Sequence, residues 1–418
     1  MSNTAPGVFQ VGLCKIGGET IYGTASANMD YVATVGPADR SGLEQAVIVP
    51  ETQRQDFYEN ARIVGARTGK LVTRHYLAGH DGTLLSAAPS HTVPSTAGAT
   101  GFDQVLGAIA SAVGQILSGG YNGAISMGAS TTAQIDATAG HLSTFAAGQA
   151  VAWAKAAAGY EVGWLKSIAS AASDVAVLLQ TATAAPQGTK LWGSHTLYVA
   201  KGQPYLDGTP KSFTLEVYGE QSDDLVRCLG CAPIGVTFDF PHLGLGVIEI
   251  TWGVGAWSEV GSGGAPTVPT TWTHPDPEEL TGGLVQWGAS LASAVPAAGL
   301  KFDLGLVRAP IKDYNAAQGI GGWYTTAIAP KVSYMVHRDY SEQITDFYAG
   351  TAHPFSLTFG SQPGKMFALT IPNAILTAFP GFAEDEGAIM SPIELMAANY
   401  TGDTGSAPAD TPCRLAWL

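Results

Sequence analysis

The amino-acid sequence predicts a mainly β protein, of the sandwich or barrel kind, on three observations. Short apolar or alternating runs recur along most of the chain, as strands do when one face is buried. Gly and Pro, 52 and 24 residues respectively, punctuate these runs as turns do. Only one segment carries the spacing of a helical face, so layered sheets are the expected architecture.

In chain order, Ala46-Val47-Ile48-Val49-Pro50 opens the series. Ala61–Val64 and Leu71–Leu77 follow, with Thr68-Gly69 expected as the turn between them. Phe102, Val105, Leu106, Ile109, Val113, Ile116 and Leu117 then fall on one helical face, predicting a helix near 101–118. Thr100 stands at its N-cap, with Asp103 three residues on as an Asp variant of the capping box, and Gly119-Gly120 is the expected stop. The expected role is packing against a sheet, because a membrane-surface helix would be flanked by Lys and Arg. Residues 120–159 are mostly Ala, Gly, Ser and Thr and read as an insertion without clear periodicity.

Ser212–Tyr218 alternates, placing Phe213, Leu215 and Val217 on one face. Pro233–Phe240 and Gly246–Trp252 read as further strands joined through Pro241–Leu245. Ser86–Thr100 and Gly261–Pro277 have loop composition, and the second marks the expected domain boundary. The division is therefore 1–260, a linker at 261–280, and 281–418. Ser212-Phe213-Thr214-Leu215 is echoed by Pro354-Phe355-Ser356-Leu357, each opening a strand that turns into another apolar strand. This predicts two tandem units.

Composition narrows the function classes. Only 13 % of the residues are charged, about half the usual share, which suits a subunit that hides its surface in an assembly. The formal net charge is −14, and residues 221–418 hold 19 acids against 8 bases. With no stripe of Lys and Arg, tight nucleic-acid binding is not expected. No signal peptide is expected from Met1–Gly7. Charged and small residues break the apolar segments Val105–Leu117 and Val151–Leu179, so no membrane insertion is expected. Four Cys are too few for a disulfide framework and fit a reducing cytoplasm.

The candidate chemical motifs are each incomplete. Cys228-Leu229-Gly230-Cys231 lies between strand patterns rather than at a helix start, and Cys14, Cys413 and His242 do not complete a zinc set. Buried or turn thiols are the expectation. His75 and His80, beside Asp81, are the nearest approach to a histidine ligand pair. Gly193-Ser194-His195 and Gly261–Gly264 lack a nucleophile elbow, and Gly319–Gly322 lacks the Lys and helix of a phosphate cradle. Glu384-Asp385-Glu386 lacks calcium-loop spacing and reads as a solvated turn. No catalytic, cofactor-binding or metal residue is predicted, and the chain is not expected to be an enzyme. Nine Trp (153, 164, 192, 252, 257, 272, 287, 323 and 417) raise one alternative, a carbohydrate-binding or adhesive β-sandwich on a virion or cell surface.

The C-terminal pattern resembles a known family. Phe355–Lys365 reads as strand, turn and new strand, leading to Ile371-Pro372-Asn373-Ala374-Ile375-Leu376 and the acidic turn Glu384–Gly387. A last hairpin is expected between Ile393–Tyr400 and Cys413–Trp417, around the loop Thr401–Pro412. This order is similar to the closing half of the tail tube (major tail) proteins of long-tailed bacteriophages. The likeness covers about two thirds of the chain and rests on strand order and turn chemistry. It implies a tail-tube-like β-sandwich or half-barrel with a flanking helix, whose strands join those of neighbouring copies. It also implies stacked rings forming the conduit for DNA ejection, trimeric if the units are tandem and hexameric otherwise. Terminator and tape-measure proteins would be neighbours, DNA a passing rather than bound partner, and the virion tail, assembled in the host bacterial cytoplasm, the location. Such a conduit favours an acidic lumen, since added cations would hold phosphate.

Overall fold

A computed structural model describes residues 11–418 apart from 28, 49–62, 78–100, 127, 129, 137–141, 143–144, 156–158, 171–174, 180–185, 188, 200–211, 219–224, 242–243, 261–282, 289–294, 296, 317, 338–339, 361–364, 386–387 and 401–410. The expected loops Ser86–Thr100 and Gly261–Pro277 lie outside the described residues.

The chain is mainly β. Its first twelve strands are β1 (Val11–Gly18), β2 (Asp30–Val35), β3 (Leu43–Ile48), β4 (Ile63–Tyr76), β5 (Gly114–Ser126), β6 (Gln134–Asp136), β7 (Ala150–Ala154), β8 (Tyr160–Ser170), β9 (Val175–Leu178), β10 (Lys190–Val199), β11 (Phe213–Tyr218) and β12 (Leu225–Phe240). The rest are β13 (Val247–Val254), β14 (Ala256–Val260), β15 (Leu284–Trp287), β16 (Ala297–Asp303), β17 (Leu306–Lys312), β18 (Ile320–Ile328), β19 (Lys331–His337), β20 (His353–Phe359), β21 (Phe367–Leu376), β22 (Ala383–Asp385), β23 (Ala388–Ala397) and β24 (Arg414–Trp417). Helix α1 is Gly101–Val113 and helix α2 is Tyr340–Ala349.

Among the described residues all strand pairings are antiparallel, and the long strand β12 is the hinge of the architecture. Its first half, Leu225–Cys231, belongs to a sheet ordered β2–β1–β11–β12–β14. Its second half, Ala232–Phe240, belongs to the main sheet, ordered β3–β4–β13–β12–β16–β19–β23–β21. The change of sheet falls at Gly230, which has φ 60°, and at Pro233, beside a register shift. Glycine accepts that backbone, and proline, lacking an N–H, is tolerated at a bulge. β21 continues through β20 to β15 on one edge, and through β24 to β10 on the other. β10 carries β5 and β7, and β7 leads to β8, β9 and β6.

One core serves both halves of the sequence, running from Cys14 to Trp417. At its centre Phe238 and Phe240 of β12 contact Phe302 of β16 and Phe367 of β21, with ring centroids 5.6–6.0 Å apart; Phe240 also meets Phe359 of β20, and Trp417 of β24 packs on Phe367 at 5.4 Å. Strands on either side of the expected linker pair directly, Thr237–Phe240 with Leu300–Asp303 and His195–Tyr198 with Arg414–Trp417. The boundary at 261–280 is therefore not a division of the sheet. The two echoing hairpins exist, β11 with β12 and β20 with β21, but they lie in different sheets.

Several local expectations are corrected. The helix stops at Val113 rather than near 118, because the chain enters β5 at Gly114 and Gly114–Leu117 pair with Thr196–Val199. α1 lies against the sheets as expected: Val105–Ala112 are all buried, and the helix packs against β1, β2 and β12 as well as β5 and β10. Thr68-Gly69 is no turn but part of the continuous strand β4; Gly69 has φ 149° and a Cβ there would lie 2.2 Å from the Gly42 carbonyl oxygen. The last hairpin does not form either. β23 and β24 lie end to end along one edge of β21, because the free side of β24 is taken by β10.

Candidate functional site

The alternation of residues along the main sheet leaves a groove of about 900 Å³ on the face opposite the core. On β12, Phe238 and Phe240 point inward while Thr237 and Asp239 are exposed; on β16, Phe302 is inward while Lys301 and Asp303 are exposed. Register then sets these outward residues in two rows. One row runs Arg74, Glu249, Thr237, Asp303, Lys331 across β4, β13, β12, β16 and β19. The other runs Asp239, Lys301, Ser333, Glu394 across β12, β16, β19 and β23. Opposed side chains on neighbouring strands stand ~5 Å apart at Cβ, so opposite charges face each other in Arg74 with Glu249, Asp303 with Lys331 and Asp239 with Lys301. Arg74 Nε donates to Glu249 Oε2 at 2.7 Å, a half-exposed pair contributing at most ~1 kcal/mol. The lining holds three bases and four acids and includes no His or Cys. An acidic surplus is not concentrated on this face.

A second polar centre is structural in character. Glu19, 7 % exposed, follows β1 and accepts four hydrogen bonds: Thr214 Oγ1 (2.9 Å) and Gly230 N (3.0 Å) at Oε1, Ser212 Oγ (2.6 Å) and Gly23 N (2.8 Å) at Oε2. A buried carboxylate so fully satisfied ties the loop after β1 to β11 and β12. Beneath it Cys14, Cys228 and Cys231 are buried in one core. Burial pushes the Cys14 and Cys231 thiols well above their ordinary range, each further raised by a neighbouring thiol. They remain protonated and are poor nucleophiles.

The third feature is the rim. Among the described residues β3 pairs only with β4, β15 only with β20, and β2 only with β1. β17 and β18 form a two-stranded ribbon of their own. Its inner side is anchored: Trp323 Nε1 donates to the Gly230 carbonyl (2.9 Å), and Thr325 Oγ1 donates to the Ala112 carbonyl at the end of α1 (3.0 Å). Its outer side shows Val307, Ile311, Tyr314 and Tyr324 to solvent, and Val47 of β3 is likewise exposed. Tyr348, near the end of α2, and Phe379 are exposed with ring centroids 6.2 Å apart, and Phe382 and Ile389 are exposed beside and on the β22–β23 hairpin.

The sequence candidates are placed as follows. Ser194 donates to the Ala150 carbonyl at 2.6 Å in mid-strand, so its hydroxyl is occupied. His75 is buried against Thr73 (2.9 Å), while His80, Asp81, His242 and Gly261–Gly264 lie outside the described residues. Gly319–Gly322 begins β18 after a tip closed by Asp313 N donating to the Gly319 carbonyl. Glu384 and Asp385 end β22, Asp385 pairing with Ala388 of β23, while Glu386 and Gly387 lie outside the described residues. Among the described residues no group of three or more His, Cys, Asp or Glu is placed to hold a metal ion, and no helix is long and apolar enough to cross a membrane. Trp153, Trp164, Trp252 and Trp417 are fully buried, and none of Trp192, Trp257, Trp287 and Trp323 is among the exposed apolar residues. The groove rows and Glu19 were missed by sequence reasoning; the only available signal was the alternation Thr237-Phe238-Asp239-Phe240.

No family model matches the chain, and no curated protein matches its sequence.

Proposed function

We propose that this chain is a non-catalytic virion protein, the tail tube subunit of a long-tailed bacteriophage, which self-assembles into stacked rings that conduct DNA. The observation that carries the reading is the open rim. A wide antiparallel sheet ends at β3 without a strand partner among the described residues, and Val47 there is 54 % exposed. An apolar edge of this kind is an aggregation hazard unless another chain covers it. Strand addition from an identical copy satisfies it, and a head-to-tail contact repeated around an axis closes a ring. The exposed apolar ribbon β17–β18 and the patch around Phe379 offer further contact area for neighbouring copies or rings. A chain with 13 % charged residues is suited to having such faces covered.

Within this reading the concave charged face of the main sheet is the wall nearest the conduit, terminator and tape-measure proteins are the neighbours, and the virion tail is the location. Rings hold three copies if each chain counts as two units, and six otherwise. Negative-stain microscopy of the purified chain tests it. Rings or tubes are expected, growing with concentration; discrete single-chain particles at every concentration overturn the proposal.

A further inference from the structure

The three cations on the groove floor are arranged in a way that bears on how a DNA conduit avoids adhesion, an inference that rests on the tail-tube reading above. Arg74 is bonded to Glu249 at 2.7 Å. Lys331 is the register partner of Asp303, and Lys301 that of Asp239. Each cation thus has a carboxylate on the adjoining strand, within about one Debye length of ~8 Å at physiological salt. Only Glu394, opposite Ser333, has no cation as its direct partner in that pairing. DNA affinity comes chiefly from cations that displace counterions from phosphate. A Lys or Arg already facing a carboxylate offers a phosphate little, because attraction by one is offset by repulsion from the other.

We infer that this face is a charge-masked wall for duplex DNA, in which Asp239, Glu249 and Asp303 cancel Lys301, Arg74 and Lys331 pair by pair. Non-adhesion then arises from local cancellation rather than from a strongly acidic surface. The masking side chains are on the solvent face of the main sheet, and Asp303 Oδ1 also accepts from Gly305 N at 2.8 Å, a bond that an asparagine Oδ1 keeps, so near-isosteric amides replace them without disturbing the core beneath.

The test is binding of a 30-base-pair duplex by fluorescence anisotropy at 50 mM salt, on the full chain and two triple variants. The wild type is expected to leave the duplex free. The variant Asp239→Asn/Glu249→Gln/Asp303→Asn is expected to bind it, with log K falling against log salt at a slope of about −2.7 for three unmasked cations. The control Glu44→Gln/Glu259→Gln/Glu384→Gln changes net charge equally at exposed positions away from the groove and is expected not to bind. Wild-type binding, equal binding by both variants, or no binding by the first overturns the inference. If the first variant loses its native circular-dichroism spectrum, Asp303→Asn alone decides, with weaker binding of slope about −0.9 expected and its absence overturning. Anisotropy is read on the soluble chain, so a failure to see rings leaves this result standing, and a failure of masking leaves assembly standing.

Discussion

At the scale of single residues, Glu19 holds more of the fold together than its place after Gly17-Gly18 suggests. Its four donors come from its own loop, from Ser212 and Thr214 beside or on β11, and from Gly230 at the bend of β12. Glu19→Ala leaves all four without an acceptor in a buried site and is expected to cost about 3 kcal/mol. Glu19→Gln turns an amide N–H₂ toward donors and recovers only part of that. Urea unfolding followed by tryptophan fluorescence checks this: the midpoint falls for both variants, Ala further than Gln, with the slope unchanged. A loss of unfolding free energy under ~0.5 kcal/mol for Ala contradicts the role. None of this was legible in the sequence, since the side-chain partners are more than 190 residues away. The thiols show the same limit. Cys228 and Cys231, expected as buried or turn thiols, are buried in β12, but Cys14 looked isolated because β11, bridging β1 and β12, brings it to them.

At the scale of elements, legibility followed alternation. The strands around Phe213, Val236 and Ile250 were readable because one face of each is apolar. Residues 120–159 were not readable, because β6 is only three residues long and β7 is mostly alanine, so their partners β8, β9 and β10 decide their conformation. The helix was found but overrun by five residues, since helical spacing continued through Ile116 and Leu117 while pairing with β10 made them strand. The ribbon β17–β18 was not foreseen, and its seat depends on glycine. A Cβ on Gly253 would lie 2.4 Å from the ring of Trp323, whose Nε1 donates to the Gly230 carbonyl. Gly253→Ala is therefore expected to displace Trp323, break that bond and cost about 1–3 kcal/mol through overpacking. Chymotrypsin should then cut the ribbon at Tyr314 or Tyr324 at least several-fold faster than in the wild type. An unchanged cleavage rate, with unchanged tryptophan emission, contradicts the seating.

At the scale of the whole molecule, the two expected units share one sheet and one aromatic core, so neither half is complete without the other. That makes the sheet a wide open surface whose two ends matter more than its middle. β3 is the end most exposed to a second copy: its outer side has no strand among the described residues, and its Ala46 and Val47 face solvent. A lysine there is a standard defence against strand addition, because the incoming strand would have to bury its charge. Val47→Lys removes no core contact, so thermal unfolding of the dissociated chain is expected to shift by no more than ~0.5 kcal/mol, the range of ordinary surface changes. Assembly is the sensitive readout. If β3 receives a strand from the next copy, Val47→Lys abolishes rings and tubes at concentrations where the wild type forms them, in sedimentation and in negative stain alike. Val47→Thr, which keeps β-branching without charge, is expected to retain them. Tubes of unchanged length and number from Val47→Lys exclude β3 as the joining edge, and loss of tubes from Val47→Thr as well assigns the defect to packing rather than to an edge blocked by charge.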